Sequence, residues 1–234
     1  MIKLLLVLLV VFSLASCKQK TESVFYKDGI SEGIIEFNVS YPYLDSNDLA
    51  LKMLPNKMEM TFKDNIYKVE SVGGMGFFIG GYISNNDKKE MDNYLKIISS
   101  KFVSRFNEKG VKKLHEDFPS FRLEKLDSTK EVAGYTCEGY RVIFYSNVVQ
   151  DHSIWFTTDI NVHDANWCTP FPQVNGILME YQIQRNGLVI DFKANKIISD
   201  SLDINEFNVP LNYKVISNKA LIRKMEEVFG GFEY

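Results

Sequence analysis

The chain has 234 residues, 45% of them hydrophobic and 24% charged, with a formal net charge of -3. That length suits one domain with a real core. Without a basic excess, no nucleic-acid partner is expected.

Residues 1–16 read as a leader. Met1, Ile2 and Lys3 make a short positive start, and the apolar run Leu4–Leu14 follows. About 7–15 apolar residues suit a secretory leader, whereas a membrane-spanning helix needs about 20. The run ends at Leu14-Ala15-Ser16-Cys17, which resembles a bacterial lipobox. That resemblance implies a diacylglyceryl group on the Cys17 thiol, cleavage just before it, and a mature chain anchored to membrane by two or three acyl chains. One chain alone holds only marginally. Residues 17–30 then form a lipidated tether, and 31–234 the domain. Lys18 follows the cysteine. In bacteria that use Asp there for inner-membrane retention, Lys favours the outer membrane. The expected place is the outer membrane, facing the periplasm.

In the domain, Glu32–Tyr41 alternates apolar and polar residues and predicts a half-buried strand, as does Lys57–Phe62 with Met58, Met60 and Phe62 on one side. Between them, Asp45–Leu54 fits a short helix or a loop. A Lys-Asp-Asn turn leads into a less regular strand at Asn65–Val72. Residues 72–83, VGGMGFFIGGYI, invite a phosphate-loop reading. It fails because strand-like sequence continues where a helix should begin; glycines in strands mark bends or close approaches. Tyr94–Ile98 and Lys101–Phe106 predict two more strands. Asn107–Asp117 predicts the internal helix, stopped by Pro119, with His115 on its solvated side.

Phe121–Leu126 reads as a strand and Asp127–Lys130 as a turn. Glu131–Tyr145 reads as one long strand, apolar on both faces. Ser153–Val162 returns against it as a hairpin. Pro170 and Pro172 place 165–175 in a loop. Gly176–Gln184 and Leu188–Lys193 flank an Asn186-Gly187 turn signal. Asn195–Ser201 reads as a further strand, and Asn218–Val228 as the C-terminal helix. Many short antiparallel strands with two helices predict an α+β, mainly antiparallel fold, curved around one helix.

Cys137 and Cys168 allow one intrachain pairing in an exported protein. A disulfide and a buried free pair both fit the sequence.

Three stretches carry a family resemblance: Ala133-Gly134-Tyr135-Thr136-Cys137, Ile154–Ile160, and Pro170-Phe171 followed by Gly176–Tyr181. In this order they resemble the GLPGLI-type proteins and related Bacteroidota lipoprotein domains, although Val174-Asn175-Gly176-Ile177 departs from the name-giving motif. The resemblance implies a curved half-barrel similar to the LolA/LolB lipoprotein carriers, an incomplete barrel around an apolar cavity. It carries no activity and no functional residues to transfer.

The histidines His115, His152 and His163 accompany no Gly-x-Ser-x-Gly elbow. Asp151-His152 falls in a predicted turn, where a polar pair is solvated. His163 and Cys168 lack the paired spacing of structural zinc sites. No catalytic residue, metal or cofactor is therefore expected. The remaining signal is apolar. The Met and Phe residues of the N-terminal half are either ordinary core or the lining of a groove. The groove reading selects Met58, Met60, Phe62, Phe77, Ile79 and Met91, and a lipid or lipoprotein ligand. The other reading is an envelope interaction protein with a filled core.

Overall fold

The computed structural model describes residues 29–229, except 46, 48, 147, 148 and 186. The leader, Cys17 and nearly all of the tether lie outside the described residues, as does Asn186 of the expected turn. The strands are β1 (Glu32–Ser40), β2 (Lys57–Lys63), β3 (Ile66–Gly73), β4 (Phe78–Asn85), β5 (Glu90–Ile97), β6 (Ser100–Asn107), β7 (Phe121–Val132), β8 (Tyr135–Phe144), β9 (His152–Thr157), β10 (Ile177–Arg185), β11 (Leu188–Ile198) and β12 (Lys214–Val215). The helices are α1 (Glu108–Leu114) and α2 (Asn218–Phe229). Asp45–Leu54 resolves into a single 3-10 turn at Leu49–Met53.

All twelve strands join one open sheet in the order β12-β6-β5-β4-β3-β2-β1-β11-β10-β9-β8-β7. Every pairing is antiparallel except β12 beside β6. The fold is thus mainly antiparallel β with two helices, as the strand pattern predicts. Its layout follows from short hairpins in two meanders, β2 to β6 and β7 to β11, joined at the β1–β11 pairing.

The expected long strand at Glu131–Tyr145 is corrected. Ala133 and Gly134 both take positive φ, 50° and 83°, and Val132 pairs with Tyr135 across them. This two-residue turn matches the right-handed twist of its strands. The expected turn at Asp127–Lys130 is instead a bulge within β7, where the pairing slips between Lys125 and Thr129. The turn thus sits a few residues later, at the glycine. Ser153–Val162 pairs with β8 as expected but leaves the sheet after Thr157. Asn195–Ser201 is not a separate strand: β11 runs on to Ile198 through a shift opposite Glu36 and Phe37.

One face of the sheet, here the inner face, carries Ile35, Phe37, Met58, Met60, Phe62, Tyr67 and Met91 in the main core. Both helices and the loop 158–176 cover it. Asn107 caps α1, its side chain accepting from Gly110 N at 2.9 Å. Leu221 of α2 and Val111 of α1 are buried in that core. On the outer face, the segment after β11 crosses back over β3–β6. It lays Leu202 and Phe207 against Ile83, Tyr94 and Val103. The described residues alone supply the sheet and its three buried clusters.

Gly81 is the tightest point of that outer layer. A Cβ there meets Val69 O at 2.5 Å and Tyr94 Oη at 2.6 Å, and Tyr94 Oη donates to Glu70 at 2.8 Å. Gly81→Ala is expected to cost about 1–3 kcal/mol, as overpacking does. Thermal unfolding should show this as a Tm drop of roughly 2–12 °C.

Candidate functional site

The loop 158–176 would bring unpaired backbone groups onto an apolar face, at a cost of about 1–3 kcal/mol for each one left unsatisfied. Side chains from the sheet meet them. Tyr67 Oη donates to Ala165 O at 2.7 Å and lies 3.0 Å from Cys168 Sγ. Asn86 Nδ2 donates to His163 O at 2.8 Å. Trp167 Nε1 donates to Ser84 Oγ at 2.8 Å and to Asn86 Oδ1 at 3.0 Å. Asn166 Nδ2 holds the far side of the loop through Val174 O and Gly176 O, at 2.8 and 2.7 Å. The Pro-containing segment is thus pinned over β2–β5.

The pinned loop leaves the inner face of β10 and β11 uncovered. Here α1, α2 and these two strands enclose an open groove of about 1000 Å³. Leu114, Phe118, Ile183, Ile190, Phe192 and Ile222 give it apolar walls. Polar and charged side chains also line it, among them Lys113, Glu116, Asp117, Lys219, Arg223 and Glu226. Burial pulls the Arg185 guanidinium below its ordinary value, and Glu226 of α2 opposes that pull from across the groove. Among the described residues Arg185 makes no ion pair. His115 stands nearby, its Nε2 3.0 Å from Cys168 O. A second cleft of about 500 Å³ lies between α1 and the loop, and shares His115, Phe118, Pro119 and Pro170 with the first.

None of the six residues selected from sequence lines this groove. Met58, Met60, Phe62 and Met91 are buried in the main core. The space beside Met58 and Met60 amounts to only about 30 Å³. Ile79 packs on the outer face, with Ile83 and Tyr94. Phe77 sits at the β3–β4 turn and is 52% exposed. Alternation identified an inner face in the N-terminal half correctly, but not which stretch of it is filled. The groove residues lie on β10, β11 and the helices, where the Gly187 turn and the α2 stripe were the available signals.

Cys137 and Cys168 are free, buried thiols. Cys137 sits on β8 beside Tyr135 O, whereas Cys168 sits in the loop against Tyr67. Burial raises both thiols to about 11. His115 is corrected from a solvated position in the helix: it follows α1 and is half-buried between the two cavities. His152 opens β9 rather than occupying a turn, and its ring packs near Phe144 and Phe171 with Nε2 buried and unpartnered. Asp164, beside His163, pairs with Lys89 at 2.7 Å. Among the described residues, no three His, Cys, Asp or Glu side chains gather as metal ligands.

No family model matches the chain, and no curated protein matches it. Among solved structures, one described as the crystal structure of MucB in complex with MucA(peri) aligns with a TM-score of 0.33 and 8% identity. The alignment covers 79% of this chain and 57% of that one. At that TM-score the alignment supports no statement about this chain. What its own geometry defines is an open, mainly antiparallel sheet with a groove of mixed lining between β10, β11 and the two helices.

Two measurements check the site. In the chain from Lys18 onward, neither thiol should react with a thiol reagent at pH 8 while folded, because burial holds both protonated. Two should react after denaturation; a bridge would yield none without reductant. The second concerns pH. Burial holds His115 and His152 below the usual imidazole range, so the unfolded chain takes up these protons first as pH falls. Tm should be flat between about pH 6.5 and pH 8 and decline below that window. His115→Gln should make that decline shallower.

Proposed function

We propose that the protein is a lipid-anchored envelope lipoprotein that binds an acyl amphiphile in the groove between β10, β11 and its two helices. Its role is binding, not catalysis. The observation that carries this reading is the groove itself: about 1000 Å³, open, with an apolar stretch from Leu114, Phe118, Ile183, Ile190, Phe192 and Ile222 beside charged groups. That volume matches the upper range of small-molecule sites, which are mostly apolar with a few placed polar groups. Arg185 is such a group. A desolvated guanidinium favours a planar anionic head, carboxylate or phosphate, while the apolar walls take the chain.

The reading includes a half-barrel of the LolA/LolB type. Helices docked on β6 and side chains of β10 and β11 line one cavity, although six strands lie between β6 and β10 in the sheet order. A curled sheet accounts for that meeting. The anchor rests on the Leu14–Cys17 motif, and the kinship with GLPGLI-type proteins on residues 133–181. Outer-membrane placement facing the periplasm rests on Lys18.

The test is native mass spectrometry of residues 18–234 purified without detergent. A stoichiometric fatty acid or phospholipid is expected, with Ile190→Trp emptying the groove and Arg185→Gln weakening anionic ligands about tenfold. A clean protein mass, unchanged after incubation with membrane lipids, overturns the reading and favours a filled-core interaction protein.

A further inference from the structure

The end of the sheet where β3 meets β4 and β5 meets β6 is built against ordinary turn chemistry. Met75 occupies the β3–β4 turn at φ 54° and Ile98 the β5–β6 turn at φ 57°. Left-handed backbone favours Gly, Asn or Asp, and is a genuine outlier for a β-branched residue. Burial offers no compensation, since Met75 is 93% and Ile98 66% exposed. The two turns are joined by a 2.6 Å bond from Ile98 N to Phe77 O. Met53 lies against Gly74 and is itself half exposed, so Met53, Met75, Phe77 and Ile98 form one protruding apolar rim. Leu211 and Val215 extend it beside β6, both more than three-quarters exposed.

Charge is segregated around this rim. Segments 49–57, 71–78, 95–103 and 209–216 contain Lys52, Lys57, Lys96, Lys101 and Lys214 and no Asp or Glu, although the chain as a whole is acidic. None of these lysines pairs with a carboxylate among the described residues. The Lys96 ammonium donates to Gly76 O at 3.2 Å, within the turn. Just outside these segments Glu59 and Glu70 lie opposite each other on β2 and β3, and Glu70 accepts from Tyr94 Oη. Large apolar side chains at turn tips, ringed by lysines that no carboxylate neutralises among the described residues, fit a bilayer interface. There the apolar groups enter the acyl boundary and the lysines meet anionic head groups.

We propose that this rim docks on an anionic lipid surface, a contact separate from any anchor at Cys17 and from the groove. The rim lies at the end of the sheet opposite Gly29, about 30 Å away along β1. The 12 residues Cys17–Asp28 span roughly 40 Å when extended, so an anchored chain has the length to reach the same bilayer.

The test uses residues 18–234, without leader or acyl chains, in sedimentation with vesicles. The protein should pellet with vesicles of phosphatidylcholine and phosphatidylglycerol, but not with phosphatidylcholine alone. Removing Lys52 or Lys57 should weaken binding roughly fivefold each, and 1 M salt should reduce it sharply. Met75→Asn with Ile98→Asn should lower binding at least tenfold while Tm stays level or rises, because Asn suits positive φ. Equal binding to neutral vesicles, or wild-type binding by the double Asn variant, overturns the proposal. So does concentration-dependent dimerisation that the double variant abolishes without vesicle binding by the wild type; that outcome assigns the rim to a second copy. The double variant should keep any groove ligand, which separates a failure here from a failure of the groove reading.

Discussion

The structure depends on how the buried face of a twelve-stranded sheet is covered by too few helices. α1 and α2 shield the ground near β6, and the loop 158–176 shields much of the rest. A loop is a costly cover, because its peptide groups lose water and gain no ladder in exchange. Tyr67, Asn86, Trp167 and Asn166 make that cover stable by meeting the loop with hydrogen bonds of 2.7–3.0 Å. Their pairing lets Phe37, Met58 and Met60 stay dry beneath it. Where the loop stops, nothing in the described chain continues the cover, and the groove begins. Site and core are therefore two outcomes of one shortage.

Sequence patterning was informative where one face is apolar and the other polar. β1 alternates cleanly and β2 does so up to Met60, so their buried sides are legible there, whereas Thr61 is buried against the pattern. The α2 stripe is legible for the same reason. Alternation fails where both faces are covered. Residues 131–145 are apolar on both sides because β8 packs against the loop inwardly and beneath Trp155 outwardly. No break in polarity marks the hairpin there, and only Gly134 signals it. The two-residue β12 could not be read at all: a single parallel pairing with β6 is decided by where the preceding segment crosses the sheet.

The groove was legible as a kind of site but not as a place. Composition and leader point toward an apolar ligand, and methionines are the natural lining to expect because they adapt to irregular space. Their strands sit under the pinned loop, however, and that loop covers them for reasons no local pattern carries. Trp167 reaches a serine and an asparagine more than 80 positions earlier. Such contacts determine which apolar surface is core and which is wall.

The first strand among the described residues is not at an edge. β1 lies mid-sheet, matched residue for residue to β2 on one side and, through one shift at Glu36–Phe37, to β11 on the other. Any tension transmitted through the residues before Gly29 acts along this strand, parallel to its axis. Its flanking hydrogen bonds then bear the load together, in shear, instead of opening one at a time as they would at a peeled edge. A chain tethered at its start is thereby attached through a strand held by hydrogen bonds on both sides.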